Sequence, residues 1–228
     1  MYLKRQAAPK NWPVRRKGTK YLVKPNFNTK KGVPILIILR DILEIAQNRR
    51  EVKKAIVAKH IIVNNKTSYD EKHNVLLFDK IRILPTKKNY SVEIMENRKL
   101  GLREVKESEA NFKISKVKDK KILRKGKIQL NLSDGNNFIS DIDCNSNDSV
   151  IINFDKKTIE KCLPLKEKSN IFVFEGKHAG KRGKIEKIDK KNKIAEIEVD
   201  KKRINILIKQ LIVIEWKTKK KNPKSWEK

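Results

Sequence analysis

The longest apolar stretch in the chain runs only from Val33 to Leu39, and Arg40 and Asp41 end it at once. A membrane-spanning helix needs ~20 apolar residues, so none is expected. The core must be assembled from short pieces. With 228 residues the chain suggests one large domain or two to three small ones, at roughly 100–200 residues per domain. Small domains bury a limited fraction of their surface, so each core should be thin.

Charge sets the second constraint. The chain carries 57 Lys+Arg against 27 Asp+Glu, a formal net charge of +30. Hydrophobic residues still make up 38% of it, which separates it from a disordered basic tail. Self-repulsion of this size disfavours compaction unless a polyanion neutralises it. Nucleic acid suits that role, because each phosphate contact releases condensed counterions. The N-terminus MYLKRQAAPKNW lacks the apolar stretch of a signal peptide. A soluble intracellular protein is expected.

Cys144 and Cys162 have no CxxC spacing, and His60, His73 and His178 are scattered away from carboxylate clusters. No metal, cofactor or small-molecule substrate is implied. The aspartates are not paired as acid–base chemistry would need, so no enzyme is expected.

The charge is unevenly placed. Before Asp41, the first carboxylate, lie eleven basic residues, among them Lys4, Arg5, Lys10, Arg15 and Arg16. Trp12, Tyr21 and Phe27 are interleaved with them, without helical or strand period. The stretch reads as an extended arm over residues 1–32 that builds no core of its own, its bases on phosphates and its rings stacking on bases. From Ile128 to Asp155 the sign reverses, with five aspartates (Asp134, Asp141, Asp143, Asp148 and Asp155) and no Lys or Arg. That segment is expected to face solvent or a basic partner. The tail, 217–228, turns basic again with Lys219, Lys220 and Lys221.

Residues 33–96 form a first compact unit. After Pro34, apolar residues at 35, 38, 39, 42, 45 and 46 fit one face of a helix that starts on proline. Asn48 is a plausible cap for a second helix, Arg49 to Lys59. It turns Val52, Ala55 and Ile56 inward and Arg49, Arg50, Lys53 and Lys54 outward. A strand HIIV, the turn pair Asn64-Asn65, Lys66 beyond it and a closing strand KIRIL complete the unit. This arrangement resembles the small RNA-binding fold first named after ribosomal protein S-four. In that family the second helix begins with Arg and continues Ala/Lys-rich to a Gly. Arg50, Val52, Lys53 and Lys54 match those places, and Lys59 stands where the Gly is usual. Asn64-Asn65 replaces the family's Asp-Gly or Asn-Gly turn, and Asp79 matches its Asp before the closing strand.

Residues 97–168 hold short apolar runs (KISKV, KIQLNL, NNFIS, SVIINF and TIEKCL) between turn signals, with a brief helix expected at Ser108 to Phe112 and Ser108 as its cap. Short strands at this spacing predict a small β-barrel or sandwich. Residues 169–216 read IFVF-E-GKHAGKRGKIEKI, then two strands and the runs RINILI and LIVIEW. Three glycines, Gly176, Gly180 and Gly183, lack the GxxxxGK[ST] order of a nucleotide loop. The segment is similar to a KOW motif within an SH3-like barrel, with Gly183 at the family's glycine. A tight Gly-rich turn would let Lys177, His178, Lys181 and Arg182 approach an RNA backbone.

The fold class expected is therefore α+β and multidomain: a helix–helix–hairpin RNA-binding module, a central β-barrel-like domain, an SH3-like KOW barrel and basic extended termini. With YLKRQAAPKNW at its start and these parts in this order, the chain resembles the ribosomal protein S-four-e family of archaea and eukaryotes. The resemblance implies a structural constituent of the small ribosomal subunit of a cytoplasmic ribosome, bound to its rRNA and to neighbouring small-subunit proteins. The lack of a longer tail implies the archaeal type. Two other classes compete: an RNA-modifying enzyme, which would need a catalytic domain, and a KOW-containing translation or transcription factor not stably part of the ribosome.

Overall fold

The computed structural model describes residues 2–123, 126–140, 142–189, 191–199 and 202–215. It is mostly β, with few and short helices. Among the described residues no helix is long and apolar enough to cross a membrane.

The N-terminal segment is not an open arm. Strand β1 (Leu3–Lys4) pairs with β2 (Tyr21–Leu22) and closes the segment into a loop. Strand β3 (Gly32–Pro34) leads into α1 (Ile35–Ile37), whose three residues are fully buried. The helix then widens into a π turn over Ile38–Ile42. A helix apolar all round is a core helix. The one-sided face predicted from periodicity is thus corrected: Leu36 and Ile37 are buried as well, whereas Ile45 is exposed.

Helix α2 (Arg49–Val57) starts where expected and ends two residues sooner. Asn48 caps it, its Oδ1 accepting from the N–H groups of Arg50 and Glu51 at 3.0 and 3.1 Å. Lys59 has a φ of +57°, so the lysine adopts the left-handed conformation that a glycine would take there at less cost. Next come β4 (Ile61–Val63), β5 (Lys66–Thr67), β6 (Asn74–Leu76) and β7 (Lys80–Ile83). Asn64 and Asn65 join β4 to β5 with φ of +51° and +59°, the pair of positive angles a type I′ turn needs. The unit does not end at β7. A further hairpin, β8 (Lys88–Ile94) and β9 (Leu100–Val105), extends the sheet to the order β5-β4-β7-β8-β9. The boundary expected at residue 96 falls inside that hairpin.

A short helix α3 (Glu107–Ala110) follows, preceded by Lys106 instead of capped by Ser108. Strand β10 (Phe112–Ile122) is the spine of the central unit. It pairs with β11 (Ile128–Leu132) and β13 (Ser149–Asn153), with β12 (Asn137–Ile139) and β14 (Thr158–Leu163) outside them. The register slips between Val117 and Asp119, so β10 serves two partners at its two ends. Leu130, Val150, Ile152 and Cys144 fill the small core of this sheet.

The last unit is a five-stranded sheet ordered β18-β17-β16-β15-β19. Its strands are β15 (Asn170–Val173), β16 (Arg182–Asp189), β17 (Ile194–Val199), β18 (Lys202–Leu207) and β19 (Leu211–Val213). An added Cβ at Gly183 would lie 2.3 Å from the Glu198 carbonyl oxygen, so the β16–β17 pairing admits only glycine there.

Polar bonds join the units. Lys113, on β10, is buried between Asp79 (2.6 Å) and Asp134 (2.7 Å), all three side chains at most 6% exposed. Burial disfavours its charge, but the two carboxylates outweigh that and hold it above its ordinary value. Lys116, three residues on, donates instead to the Ile208 and Leu211 carbonyls of the last unit. Asp155 accepts from Asn65 and from Asn111, each at 2.6 Å. The acidic stretch is therefore largely structural. Asp148 accepts from the N–H groups of Asn145 and Leu165, and Asp143 pairs with Lys120. The expectation that it faces solvent or a partner fails for Asp134 and Asp148, because buried N–H and ammonium donors claim them; Asp141 lies outside the described residues.

Candidate nucleic-acid interface

Helix α2 offers the most regular cationic surface. Val52 and Ile56 anchor one side in the core, which leaves Arg50, Lys53 and Lys54 exposed on the other. Lys59 and Lys66 are also exposed, and Lys66 opens the strand after the turn held by Asn64. Asn64 Oδ1 accepts from Lys80 N–H at 2.9 Å and its Nδ2 donates to Asp79 at 2.8 Å, which fixes the hairpin next to the helix.

Arg49 departs from this pattern. Its guanidinium grips Glu71, whose carboxylate is 4% exposed, and holds that carboxyl below its usual range. It is tied to the fold through this pair, although its side chain stays 54% exposed. The sequence pattern did not reveal this because Glu71 lies on a distant loop.

In the N-terminal segment Lys4, Lys10, Arg15 and Arg16 are exposed, as are the rings of Tyr2, Tyr21 and Phe27. Two of the predicted contact residues are engaged within the protein instead. Trp12 is 2% exposed and its indole N–H donates to the Gly32 carbonyl at 3.0 Å, so it seats the segment on the core and cannot stack on a base. Arg5 donates to the Thr19 and Arg15 carbonyls, both at 2.6 Å, and to the Thr19 hydroxyl at 2.7 Å. Its guanidinium organises the loop that carries the exposed bases.

The glycine loop between β15 and β16 is divided in the same way. Lys177 and Lys181 are exposed and His178 is half-buried. Gly176 and Gly180 have φ of +92° and +91°. A Cβ at Gly180 would sit 2.4 Å from the Met95 carbonyl oxygen, so the loop lies directly on the β8–β9 hairpin. Arg182 reaches that hairpin too, pairing with buried Glu93 at 2.7 Å, while Arg103 takes the other carboxylate oxygen at 2.7 Å. It lies over the Phe172 ring as well, at 5.8 Å from the centroid. Arg182 thus docks the loop while its side chain stays 44% exposed, and Lys177 and Lys181 beside it are exposed without such a pairing to the hairpin. Lys219, Lys220 and Lys221 lie outside the described residues.

Comparison with known proteins places these features. Residues 2–27 match the RS4NT (NUC023) domain and residues 86–159 match a family described as ribosomal family S4e. The small ribosomal subunit protein eS4 of Methanocella arvoryzae is 38% identical over 190 residues, covering 82% of this chain and 80% of that protein. The eS4 of Archaeoglobus fulgidus is 34% identical, covering 81% and 79%. The crystal structure of the 30S ribosomal protein S4e from Thermoplasma acidophilum shares the fold, with a TM-score of 0.70 over 81% of this chain and 95% of that one, at 24% identity.

Proposed function

The chain belongs to the ribosomal S4e family, and we propose that it is a structural constituent of the small ribosomal subunit that binds and stabilises small-subunit rRNA. The observation that carries the mechanism is the partition of positive charge. Lys113 and Lys116 are buried, Arg5, Arg49 and Arg182 are engaged by acceptors within the protein, and Arg50, Lys53, Lys54, Lys59, Lys66, Lys177 and Lys181 stand exposed on ordered elements and turns. A mounted cation loses less freedom on meeting a phosphate than one on a loose tail, so more of its attraction survives as affinity.

The footprint we assign joins the exposed face of α2 (Arg50, Lys53, Lys54), Lys59, Lys66, the lysines of the KOW-like loop (Lys177, Lys181) and Lys4, Lys10, Arg15 and Arg16. Tyr21 and Phe27 supply stacking surfaces. Recognition of this kind reads RNA shape and backbone more than base sequence. The role is architectural and calls for no catalytic group. Partners are rRNA and adjoining small-subunit proteins, in cytoplasmic ribosomes.

Sedimentation after gentle, low-salt lysis tests this reading. The protein should travel with small subunits. Recovery only in the soluble fraction would sink it, and would point to a free translation or transcription factor instead.

A further inference from the structure

The loop closed by β1 and β2 and the turn between β8 and β9 frame a cleft of about 180 Å³. Buried Trp12 and Leu22 are among its walls. Five cations line it: Arg5, Lys10, Arg15, Arg16 and, from the turn, Lys99. No carboxylate is among the lining residues, and residues 1–40 hold none that could be. Glu96, the one acid in the β8–β9 turn, is close enough to Arg182 of the glycine loop to stabilise that charge instead.

The cations are fixed by groups that leave their charge intact. Arg5 gives three N–H groups to two carbonyls and a hydroxyl, at 2.6, 2.6 and 2.7 Å. Those acceptors are neutral and a guanidinium has five donors, so its charge and further donors remain. Arg16 donates to the Ala8 carbonyl at 3.4 Å, again a neutral partner. Lys99 is brought in through its neighbour: the Leu100 N–H donates to the Asn11 carbonyl at 2.8 Å and ties the turn to the loop. Like charges around one concavity repel, and an ordinary solvated face would let them spread apart. Bonds that hold cations together without cancelling them make an anion site.

We propose that this cleft grips a single backbone phosphate of the rRNA, with Lys99 completing a cradle begun by Arg5 and Arg16. A metal ion or a basic peptide would meet only repulsion there, and an apolar ligand would leave five cations uncompensated. The cleft is smaller than the ~300–1,000 Å³ of sites for drug-sized ligands, which suits one anionic group. The proposal rests on the rRNA-binding reading. It adds Lys99, which no run of charge in the sequence marks, and one shared phosphate where the footprint has separate cations.

A double-mutant cycle on rRNA binding by the full chain tests this. Arg16 and Lys99 are exposed, so replacing them should not disturb the fold. Lys99→Ala and Arg16→Ala should each weaken binding about fivefold. Together they should weaken it about tenfold, short of the about 25-fold that independent contacts give. Lys99→Ala joined to Lys53→Ala, on α2, should give the full product. A Lys99→Ala chain that binds like the parent, a full product with Arg16, or an equal shortfall with Lys53 overturns the shared phosphate and leaves the ribosomal reading intact. The source of the phosphate is read with labelled Ala and Val methyl groups. Inorganic phosphate should shift those of Ala8 and Val14 more than chloride does at equal ionic strength, and bound rRNA should abolish that response. Equal shifts with chloride overturn the cleft as a phosphate site, and a response that persists on the rRNA-bound chain overturns the backbone as its ligand. A parent chain that fails to bind rRNA overturns both the site and the ribosomal reading.

Discussion

In helix α2, Lys53 and Lys54 stand in solvent beside Arg50, whereas in strand β10, Lys113 and Lys116 are 2% and 5% exposed. Both segments look alike in composition, yet one presents charge outward and the other consumes it. On α2 the 3.6-residue period brings Val52 and Ile56 to one side and the cations to the other. On β10 both flanks are covered: the first unit supplies Asp79 and the last unit supplies the Ile208 and Leu211 carbonyls. A lysine count therefore overstates the RNA-binding surface. What matters is whether the neighbouring element brings an acceptor.

The contrast is easiest to break at Lys113. Lys113→Met would leave Asp79 and Asp134 buried without their cation, and should cost about 3–5 kcal/mol in urea unfolding. Joint replacement of Arg50, Lys53 and Lys54 by Ala should change stability by only about 0.5 kcal/mol per site. A Lys113→Met protein as stable as the parent would mean that the buried triad is not a joint.

The same division runs within the N-terminal segment. Trp12→Ala removes a buried ring and should cost about 3 kcal/mol in the same assay. Tyr21→Ala should leave stability almost unchanged but weaken rRNA binding, since exposed ring stacking is worth ~1–3 kcal/mol per base. Equal losses of stability at the two positions would erase the distinction between the packed and the presented ring.

A smaller effect appears with pH. Burial pulls Lys116 from 10.5 down to about 8, and Lys80 likewise to about 8. In that window the unfolded chain binds protons that the folded one does not, so folded stability rises as pH rises from about 8 toward 10.5. Each lysine should contribute at most about 1 kcal/mol per pH unit. Lys116→Met should therefore gain less than the parent across the window, and an identical gain would show that Lys116 is not desolvated. A neutral Lys116 amine keeps two N–H donors, enough for both carbonyls.

Much of this was legible in the sequence where the determinants are local. Asn48 as a cap, the Asn64-Asn65 turn, the outward Arg50, Lys53 and Lys54, and the glycine loop all follow from neighbours within a few residues. Trp12, Arg5, Arg49 and Arg182 have partners within the protein that the sequence pattern did not show, for one shared reason. Each is satisfied by a group that only the fold brings near: Gly32, Thr19, Glu71 and Glu93. The aspartates of the acidic stretch hid their role in the same way, because Lys113 and the Leu165 N–H are remote in sequence.

The most direct test of this account is the salt dependence of rRNA binding, compared between the parent chain and the variant carrying Arg50→Ala, Lys53→Ala and Lys54→Ala. If these three cations meet phosphates, the slope of log affinity against log salt should become shallower by about 2–3. An unchanged slope at equal affinity would remove helix α2 from the footprint and contradict the division between presented and consumed charge.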